Sequence, residues 1–516
     1  MSALVVLGAL GLGGAYLAQL LRWLRVMQRE HYLPGSASRF LSRWTSPTAP
    51  GAQARHPTRR PLTLSHILVV ALIASLLAGR PLAAVVVSIL YGLTCPTGLS
   101  LRGRTGRLRW TRRASTTAAL VTALAAVIVA LSMVASAAWA GGVIVVWLTP
   151  LLVDGAARVM LPLEDRRARV YVARAAARLA TVRPRIVAIT GSYGKTSTKQ
   201  HLAHLLGDAL ATPGSYNNRA GISRTINEQL TDGTAVFIAE MGTYGPGEIR
   251  ALCAWCPPEV AVVTAIGPVH LERMGSVGVI EEAKREITER ALTVVLNGDD
   301  ERLRSWVASL RDAGKKVLLA GSQAAGLDVR VRPEGEGWVV EVGDQSPRRL
   351  SAPVGLRASN VACAIAAGLA LGRDLDELVT RAATLPAVTS RATVAVAPSG
   401  VTVVDDTYNA NPASARAAVD LLLALDVPGR RVLVTPGMVE LGRIQYGENL
   451  ALGRRAAAHR IELVVVGRTN AVPLGVGYGE GARRVNRRDQ AVAWVRSALG
   501  PGDAVLYLND LPDHYP

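Results

Sequence analysis

The chain has 516 residues, a formal net charge of +19 and 50% hydrophobic residues, with only two phenylalanines. The length predicts about three domains. The charge is uneven: fifteen arginines and one acidic residue, Glu30, precede Asp154, whereas acids and bases nearly balance after it. Because these arginines lie between long apolar runs, they indicate the flanks of membrane helices and argue against a nucleic-acid partner.

Residues 1–160 are predicted to form a membrane domain of about five transmembrane helices. The apolar runs cover residues 3–21, 62–78, 81–93 and 118–153. The first run is long enough to span a bilayer, and it lacks the preceding basic residues of a signal peptide. The two middle runs flank Gly79-Arg80-Pro81 and predict a hairpin, although a pair of buried soluble helices remains an alternative. The last run is too long for one span, and we expect it to break at Gly141-Gly142.

The distribution of arginine predicts an orientation. Segments 22–60 and 102–113 are rich in arginine, as is the chain after Val153. The positive-inside rule assigns such segments to the cytosol. The amino terminus and the turns near Arg80 and Gly141 would then lie outside. We therefore expect a multi-pass protein of the cell (inner) membrane whose catalytic domains are cytoplasmic.

The hydrophobic pattern changes after a helical linker at residues 163–180. Strand-like runs then alternate with helical ones, which predicts an α/β fold after the amino-terminal α-helical transmembrane segment. We expect a central parallel-sheet P-loop ATPase domain over residues 161–384, with short antiparallel strands near 329–341. A second alternation predicts a smaller, Rossmann-like carboxyl-terminal domain over residues 385–516, after a hinge near 384–392.

A short segment in the central domain has the pattern of a phosphate-binding loop. The apolar run 186–189 leads into a glycine turn, a lysine, hydroxyl residues and a helical pattern. Backbone N–H groups, an ammonium and a hydroxyl at a helix N-terminus can cradle phosphates and ligate Mg²⁺. The loop is shorter than in common P-loop proteins. Its predicted nucleotide-binding residues are Gly191, Ser192, Tyr193, Gly194, Lys195, Thr196 and Ser197.

Three residues further along the chain become candidates for the same site once this loop is considered. Glu240 ends the next predicted strand, His270 follows the strand after it, and Lys284 lies in a helical pattern. Taken singly, each has an ordinary structural explanation. Lysine usage sharpens the choice, because five lysines stand against 53 arginines. A position that needs a compact ammonium or a neutral amine cannot use arginine, so Lys195 and Lys284 are of particular interest.

Seven stretches follow one another in a specific order: "ITGSYGKTSTK", "TPGSYNNRAGISRTINE", "AEMGTYGPGEI", "VHLERMGSVGVIEEAKREI", "NGDD", "DDTYNANPAS" and "GMVELG". With these motifs, the chain from about Arg185 to Gly502 resembles the Mur ligases, and most closely the MurF type. That type is the ATP-dependent ligase that adds D-Ala-D-Ala in cell-wall precursor synthesis. The resemblance covers about three-fifths of the chain.

The resemblance implies roles for the site residues. Lys195 and its loop would bind the β- and γ-phosphates of ATP. Two Mg²⁺ sites are implied, one held by Thr196 and Glu240 and the other by His270. Lys284 would be the carbamylated lysine whose carbamate bridges to metal, so the implied catalytic set is Lys195, Glu240, His270 and Lys284. Further nucleotide contacts are implied for Asn360, Arg391, Asp406 and Tyr408.

The resemblance also implies a reaction. A substrate carboxylate attacks the γ-phosphate of ATP to give an acyl phosphate, and an amine then displaces phosphate to form an amide. Closure of the last domain would keep water from the acyl phosphate. The expected partners are membrane lipid, a lipid-linked or membrane-associated carboxylate, and a small amine, amino acid or dipeptide.

The sequence departs from MurF proteins in places that concern the substrate. Membrane helices stand where the family carries its UDP-sugar-binding domain. Ser359 and Cys363 replace the usual histidine and second asparagine, Pro436-Gly437 replaces a Gly-Asp pair, and the end of the chain lacks the usual tail. Two alternatives therefore remain beside a discrete ligase: a polymerase like poly-γ-glutamate synthase, and a non-catalytic nucleotide-binding membrane scaffold.

Overall fold

The computed structural model describes residues 3–45, 64–101, 107–135, 137–335, 337–351, 356–386, 393–407, 410–511 and 514–515. Within these ranges the chain forms an amino-terminal helical bundle, a nine-stranded sheet and a six-stranded sheet. Helices pack against both sheets, so the predicted order of a helical segment followed by two α/β units is confirmed.

The bundle contains α1 (Ala3–Arg29), α2 (Ser36–Thr45), α3 (Leu64–Leu77), α4 (Pro81–Thr94), α5 (Arg112–Val134) and α6 (Ala138–Val182). By length and composition, three of the described helices, α1, α5 and α6, could cross a membrane. Helices α3 and α4 have 14 residues each. They are about 21 Å long, against about 30 Å of bilayer hydrocarbon. They pack together as the predicted hairpin, and the prediction of five spans stays a prediction.

The predicted helix break at Gly141-Gly142 is wrong. The chain is interrupted between α5 and α6, and both glycines lie inside α6. A Cβ on Gly141 would lie 2.9 Å from the backbone of Val129, and one on Gly142 would lie 2.7 Å from the side chain of Leu12. The two glycines therefore permit close packing of α5 and α1 on α6, rather than a turn.

Helix α6 joins the bundle directly to the first α/β unit. It has 45 residues and combines the last apolar run with the predicted helical linker in one helix, with Pro150 and Pro162 inside it. In its second half, Asp165 accepts from Arg219 at 2.5 Å, and Arg178 Nε donates to the carbonyl of Leu230 at 2.8 Å. The predicted domain boundary after residue 160 falls within this helix.

The larger sheet has the strand order β2-β3-β1-β4-β5-β6-β7-β8-β9. Strands β1 to β6 run parallel, β7 pairs parallel with β6, and β8 and β9 continue antiparallel. The strands are β1 (Arg185–Thr190), β2 (Ala209–Ala211), β3 (Val236–Glu240), β4 (Val260–Val263), β5 (Thr293–Asn297), β6 (Lys316–Gly321), β7 (Val329–Glu334), β8 (Gly337–Val342) and β9 (Arg348–Ser351). Since β3 and β4 flank β1, the carboxyl ends of these three strands meet at one edge.

Helices cover both faces of this sheet. They are α7 (Lys195–Leu206), α8 (Arg219–Gln229), α9 (Glu248–Trp255), α10 (Leu271–Met274), α11 (Val277–Arg285), α12 (Glu301–Arg304), α13 (Val307–Asp312), α14 (Ala358–Ala370) and α15 (Leu375–Ala382), with a 3₁₀ turn at Glu286–Thr288. In β1, Val187 and Ile189 enter one core, whereas Ile186 and Ala188 enter the other. A strand buried on both faces reads as a continuous apolar run, as this one does.

The smaller sheet has the order β10-β11-β15-β12-β13-β14, with β10 antiparallel and the other strands parallel. Its strands are β10 (Thr393–Val396), β11 (Thr402–Asp406), β12 (Arg431–Thr435), β13 (Glu462–Val466), β14 (Arg483–Val485) and β15 (Ala504–Leu508). The accompanying helices are α16 (Pro412–Ala424), α17 (Gln445–Ala458), α18 (Ala471–Tyr478) and α19 (Arg488–Ala498), with a 3₁₀ turn at Gly442–Ile444. The predicted second doubly wound unit is thereby confirmed.

Candidate active site

The predicted phosphate-binding loop connects β1 to the N-terminus of α7. Gly191 and Gly194 have φ values of +151° and +79°, which favour glycine. A Cβ on Gly191 would lie 2.0 Å from Thr264 Oγ1, and one on Gly194 would lie 2.5 Å from Asn360 Oδ1. The two glycines therefore keep the loop narrow and bring Asn360, on α14, against it. Backbone N–H groups at this helix start are a suitable cradle for phosphate oxygens.

Lys195 begins α7 and turns back over the loop. Its Nζ donates to the carbonyl of Gly191 at 2.6 Å. The hydroxyl of Ser192 pairs with the backbone of Gly267, accepting from its N–H at 2.9 Å and lying 3.0 Å from its carbonyl oxygen. Ser197, the last predicted residue of the loop region, is buried in α7. The loop is thus tied to the segment after β4 and carries an ammonium at its mouth.

Glu240 lies beside the loop and is almost completely buried, with 1% of its surface exposed. Thr196 Oγ1 donates to its carboxylate, with distances of 3.0 and 3.2 Å to the two oxygens. Lys199 Nζ donates at 3.0 Å and Asn217 Nδ2 at 3.2 Å. A buried carboxylate with three donors is well compensated. The structure therefore brings together the two residues predicted to hold the first metal.

The spacing of these oxygens fits Mg²⁺. Adjacent ligands of an octahedral Mg²⁺ site, with bonds of about 2.0–2.1 Å, lie about 2.9 Å apart. Thr196 Oγ1 and the nearer oxygen of Glu240 are 3.0 Å apart. No cluster of three or more His, Cys, Asp or Glu side chains suited to a metal is found within the described ranges. A metal here would thus rely on one carboxylate, one hydroxyl and non-protein oxygens, which is the usual manner of Mg²⁺ at phosphates.

His270 lies in the left-handed region, with a φ of 57°, immediately before α10. Its Nδ1 is 2.5 Å from Glu440 Oε2, a residue of the carboxyl-terminal unit. A carboxylate on one ring nitrogen orients a histidine and leaves Nε2 as the candidate metal ligand. Burial raises the pKa of Glu440, but the hydrogen bond and charge of His270, with Arg273 and Arg43, lower it to about 2. Glu440 therefore remains ionised at neutral pH.

Lys284 lies on α11 and is buried, with 4% of its surface exposed. Burial, followed by the charge of Lys195, moves the pKa of Lys284 well below its usual value. Such surroundings favour the neutral amine over the ammonium. Its side chain does not line the cavity described next, although it lies close enough to Lys195 to feel its charge.

A cavity of about 320 Å³ joins these residues. Its lining includes Tyr193, Lys195, Thr196, Glu240, His270 and Asn217. The carboxyl-terminal unit closes one side with Asn411 and Leu441, and His31 from the turn between α1 and α2 closes another. Three parts of the chain, including the helical bundle, therefore contribute to one polar cavity.

The structure places only some of the residues that were predicted to contact the nucleotide from the carboxyl-terminal unit. Asp406 ends β11 and is buried, four residues before Ala410, which lines the cavity. Arg391 and Tyr408 lie outside the described residues. Nothing in the described ranges places Asp406 itself in the cavity lining.

The sequence prediction missed several residues of the site. Lys199 satisfies the same rule of rare lysines as Lys195, and it is buried against Glu240. Asn217 lies within one of the quoted motifs. Glu440 also lies in a quoted motif, but its partner is 170 residues away along the chain. His31 has no signal in the sequence, because its place depends on how the bundle packs against the α/β units.

Two family models match this chain. Residues 189–368 match the Mur ligase middle domain, and residues 390–508 match the glutamate ligase domain of Mur ligases. A UDP-N-acetylmuramoyl-tripeptide–D-alanyl-D-alanine ligase of Mycobacterium leprae is 34% identical over 369 residues, which are 62% of this chain and 70% of that protein. The Escherichia coli K12 ligase of the same name is 32% identical over 311 residues, which are 57% and 68%.

Solved structures agree with these matches. The MurF ligase of Thermotoga maritima in complex with ADP superposes with a TM-score of 0.58 at 26% identity, over 66% of this chain and 80% of that one. A MurF crystal structure from Acinetobacter baumannii gives a TM-score of 0.57 at 25% identity, over 66% and 76%. The family models begin at residue 189, beyond the helical bundle.

Proposed function

This chain belongs to the Mur ligase family, and from that premise we propose that it is a membrane-anchored ligase which joins a lipid-linked carboxylate to an amine. The family makes it an ATP-dependent amide ligase of the peptidoglycan type, resembling MurF. The finer points, which are the anchor, the acid substrate and the roles of single residues, are the proposal. One observation carries it: α6 is a single helix from an apolar segment to Val182, and the first strand of the ligase unit begins at Arg185.

The contacts of the bundle support a membrane anchor with the catalytic units on one side. The ends of α1, α4 and α2 that face the α/β units touch them, for example where Arg468 donates to the carbonyl of Thr97 at 3.2 Å. The amino-terminal half of α1 exposes large apolar side chains, among them Leu4, Leu7 and Leu10. Such a surface suits lipid, because large contiguous apolar patches are rare on soluble proteins. The arginine-rich segments on the side of the ligase units support the cytoplasmic side for them under the positive-inside rule.

Each residue of the cavity has a proposed part in the reaction. Lys195 and the loop amides bind the β- and γ-phosphates of ATP and neutralise the charge that develops on the transferred phosphoryl group. Thr196 and Glu240 would hold one Mg²⁺, and His270 a second. A bound magnesium ion would supply charge neutralisation and orientation at these phosphates.

Lys284 has a separate proposed role. Burial favours the neutral amine of Lys284, and a neutral amine can take up CO₂, so that the amine nitrogen bonds to carbon, one proton leaves and a carbamate anion results. We propose that this carbamate completes the metal site. Asn360, Arg391, Asp406 and Tyr408 are proposed to contact the adenosine part of ATP.

The carboxylate substrate attacks the γ-phosphate, ADP leaves, and an amine then displaces phosphate to form the amide. Glu440 of the carboxyl-terminal unit keeps His270 oriented during both steps. The same unit covers the cavity with Asn411 and Leu441, which excludes water from the acyl phosphate. The MurF relatives are named for the addition of D-alanyl-D-alanine, so a single addition of a small amine or dipeptide is favoured over polymerisation.

The acid is tested by a direct comparison. The full-length protein in lipid nanodiscs receives ATP, D-alanyl-D-alanine and either UDP-N-acetylmuramoyl-tripeptide or the same muramoyl tripeptide on a polyprenyl diphosphate. We expect kcat/KM for the lipid-linked acid to exceed that for the UDP-linked acid by about 100-fold, because the bundle holds the site at the membrane surface. Equal or better use of the UDP-linked acid would overturn the lipid-linked proposal.

A further inference from the structure

The turn between α1 and α2 has an unusual backbone. His31 and Tyr32, which are consecutive, have φ values of 55° and 56°. In the left-handed region, a residue other than glycine carries about 1–3 kcal/mol of backbone strain. It keeps this conformation only when contacts with neighbouring residues stabilise it. Such positions cluster at functional sites. We therefore look for the contacts that stabilise this turn and for the function that it serves.

The bundle supplies the support. The ring of Tyr32 is buried in the bundle core, with the guanidinium of Arg113, on α5, 4.6 Å from the ring centre. On the other side of the turn, the carboxylate of Asp154, on α6, accepts from backbone N–H groups at the start of α2. The donors are Gly35 at 2.9 Å, Ala37 at 3.1 Å and Ser38 at 2.9 Å. Both ends of the turn are thus fixed to helices of the bundle.

Glu30 fixes the turn to the catalytic units. This residue is the one acidic side chain before Asp154, and it is buried. Its carboxylate accepts from Arg39 at 2.8 Å and from Arg273 at 2.9 Å, and it lies 3.1 Å from Nε2 of His514. These partners belong to α2, to α10 and to the end of the chain. One carboxylate therefore ties the bundle to both α/β units.

Further contacts strengthen the same joint. Arg43, on α2, forms an ion pair with Glu272, which precedes Arg273 in α10. Trp44 Nε1 donates to the carbonyl of His514 at 2.9 Å. Because α10 begins directly after His270, the bundle holds the helix that follows a proposed metal ligand. The bundle is therefore built into the active-site region and is more than an anchor.

Between these fixed neighbours, His31 is exposed and lines the catalytic cavity. No other residue of the bundle's described part lines this cavity. The loop of Lys195 occupies the phosphate side, and the carboxyl-terminal unit closes another side with Asn411 and Leu441. The wall made by His31 is the one that faces the bundle.

We propose that His31 forms part of the binding site for the carboxylate substrate and donates a hydrogen bond from its imidazole to the acid. This inference rests on the proposed ligase function and names the wall of the site that holds the acid. Imidazole is a suitable donor to a carboxylate. The arginines of this joint, Arg39, Arg43 and Arg273, are each in an ion pair with Glu30 or Glu272, so the proposed contact relies on the imidazole itself. The helical bundle thus supplies a substrate contact of its own.

The test uses His31→Gly in the full-length protein in nanodiscs. Glycine removes the imidazole and relieves the positive φ, so the fold should not suffer. Arg460→Gly is the matched control, because Arg460 also has a positive φ, 54°, is exposed and lies away from the cavity. Steady-state ADP release gives KM for the acid, for ATP and for D-alanyl-D-alanine, with the UDP-linked and lipid-linked tripeptides as acid probes.

With His31→Gly we expect KM for the acid to rise about tenfold or more, since a hydrogen bond to a charged group is lost, while the other two KM values change less than about twofold. His31→Asn, which keeps a donor and tolerates this backbone, should recover part of the loss. The control should match the wild type. An unchanged KM for the acid, or an equal rise in all three constants, would overturn the inference. Failure of the wild type itself to release ADP with either acid would instead refute the proposed function.

Discussion

Two sides of the same cavity are built in different ways. The phosphate side consists of a contiguous loop after β1, with Glu240 and His270 at the ends of neighbouring strands or just beyond them. The side formed by the α1–α2 turn depends on Glu30, whose partner Arg273 is 243 residues away along the chain. The first arrangement is local and repeats across a family. The second depends on helices that precede the residues matched by the family models.

The comparison predicts that changes on the phosphate side abolish chemistry, whereas changes on the turn side weaken acid binding. The largest effect is expected for Lys195→Ala. We propose that its ammonium neutralises the transferred phosphoryl group, and its loss should lower ADP formation by about 1,000-fold or more. Steady-state ADP release measures it, with Lys316→Ala as a control at an exposed lysine. Near-normal turnover in Lys195→Ala would show that the phosphate site has been assigned wrongly.

The next effect concerns Lys284, which tests whether the phosphate side needs a carbamate. Lys284→Ala should lose most activity, and short carboxylates added to the buffer should restore part of it by occupying the place of the carbamate. Lys284→Arg should remain inactive, because a guanidinium cannot be carbamylated near neutral pH. ADP release with and without added acetate measures both. Full activity in Lys284→Arg would exclude the carbamate.

A smaller effect is expected on the turn side. Glu30→Gln leaves the cations around it without their buried counter-charge, which should lower the free energy of unfolding by about 3 kcal/mol. Glu228→Gln is the matched control, because its ion pair with Arg224 is exposed and should contribute less than about 1 kcal/mol. Thermal unfolding in detergent compares the two. KM for the acid should rise in Glu30→Gln while KM for ATP stays unchanged. A rise in KM for ATP with an unchanged KM for the acid would contradict the assignment of acid binding to the turn side.

The same carboxylate predicts a pH dependence. Burial raises the pKa of Glu30, but the hydrogen bond and charge of His514, with Arg273 and Arg39, lower it overall. A lowered pKa contributes stability that is fully present above the unfolded value of about 4.3 and is lost as the pH falls through the folded value. Acid unfolding of the wild type below about pH 4 should therefore be steeper than that of Glu30→Gln. Circular dichroism can monitor acid unfolding of both proteins in parallel. Identical slopes of unfolding against pH would show that Glu30 is not involved.

Orientation gives the smallest effect, since it leaves activity unchanged. A cysteine introduced at position 2 should react with an impermeant thiol reagent from outside the cell, and one at Ser322 should not. The four natural cysteines are buried, so they should contribute little background. Labelling only at position 322 would show that the orientation is the reverse of the one assigned. The arginine distribution would then be a wrong guide to the side on which the ligase units lie.

The sequence placed the glycine-rich loop between a strand and a helix, as the structure has it, because this information is local. The loop of Lys195 is contiguous, and parallel strands bring their carboxyl ends to one edge of the sheet, so Glu240 follows from strand order. The helix break predicted at Gly141-Gly142 was wrong for a physical reason. A glycine pair is typical of a turn, but here it permits close helix packing. His31 and Glu440 depend on contacts between parts distant along the chain. Local patterns carry no record of such contacts.

We propose that the helical bundle forms part of the active site, and a truncated protein tests this most directly. Residues 163–516 retain the phosphate loop but lack the α1–α2 turn. Calorimetric titration with ADP and steady-state ligation of the soluble UDP-N-acetylmuramoyl-tripeptide are measured beside the full-length protein. We predict ADP affinity within about threefold of the full-length value, and ligation reduced by about 100-fold although the acid is soluble. A truncated protein that binds ADP and ligates this acid as fast as the full-length protein would contradict the claim.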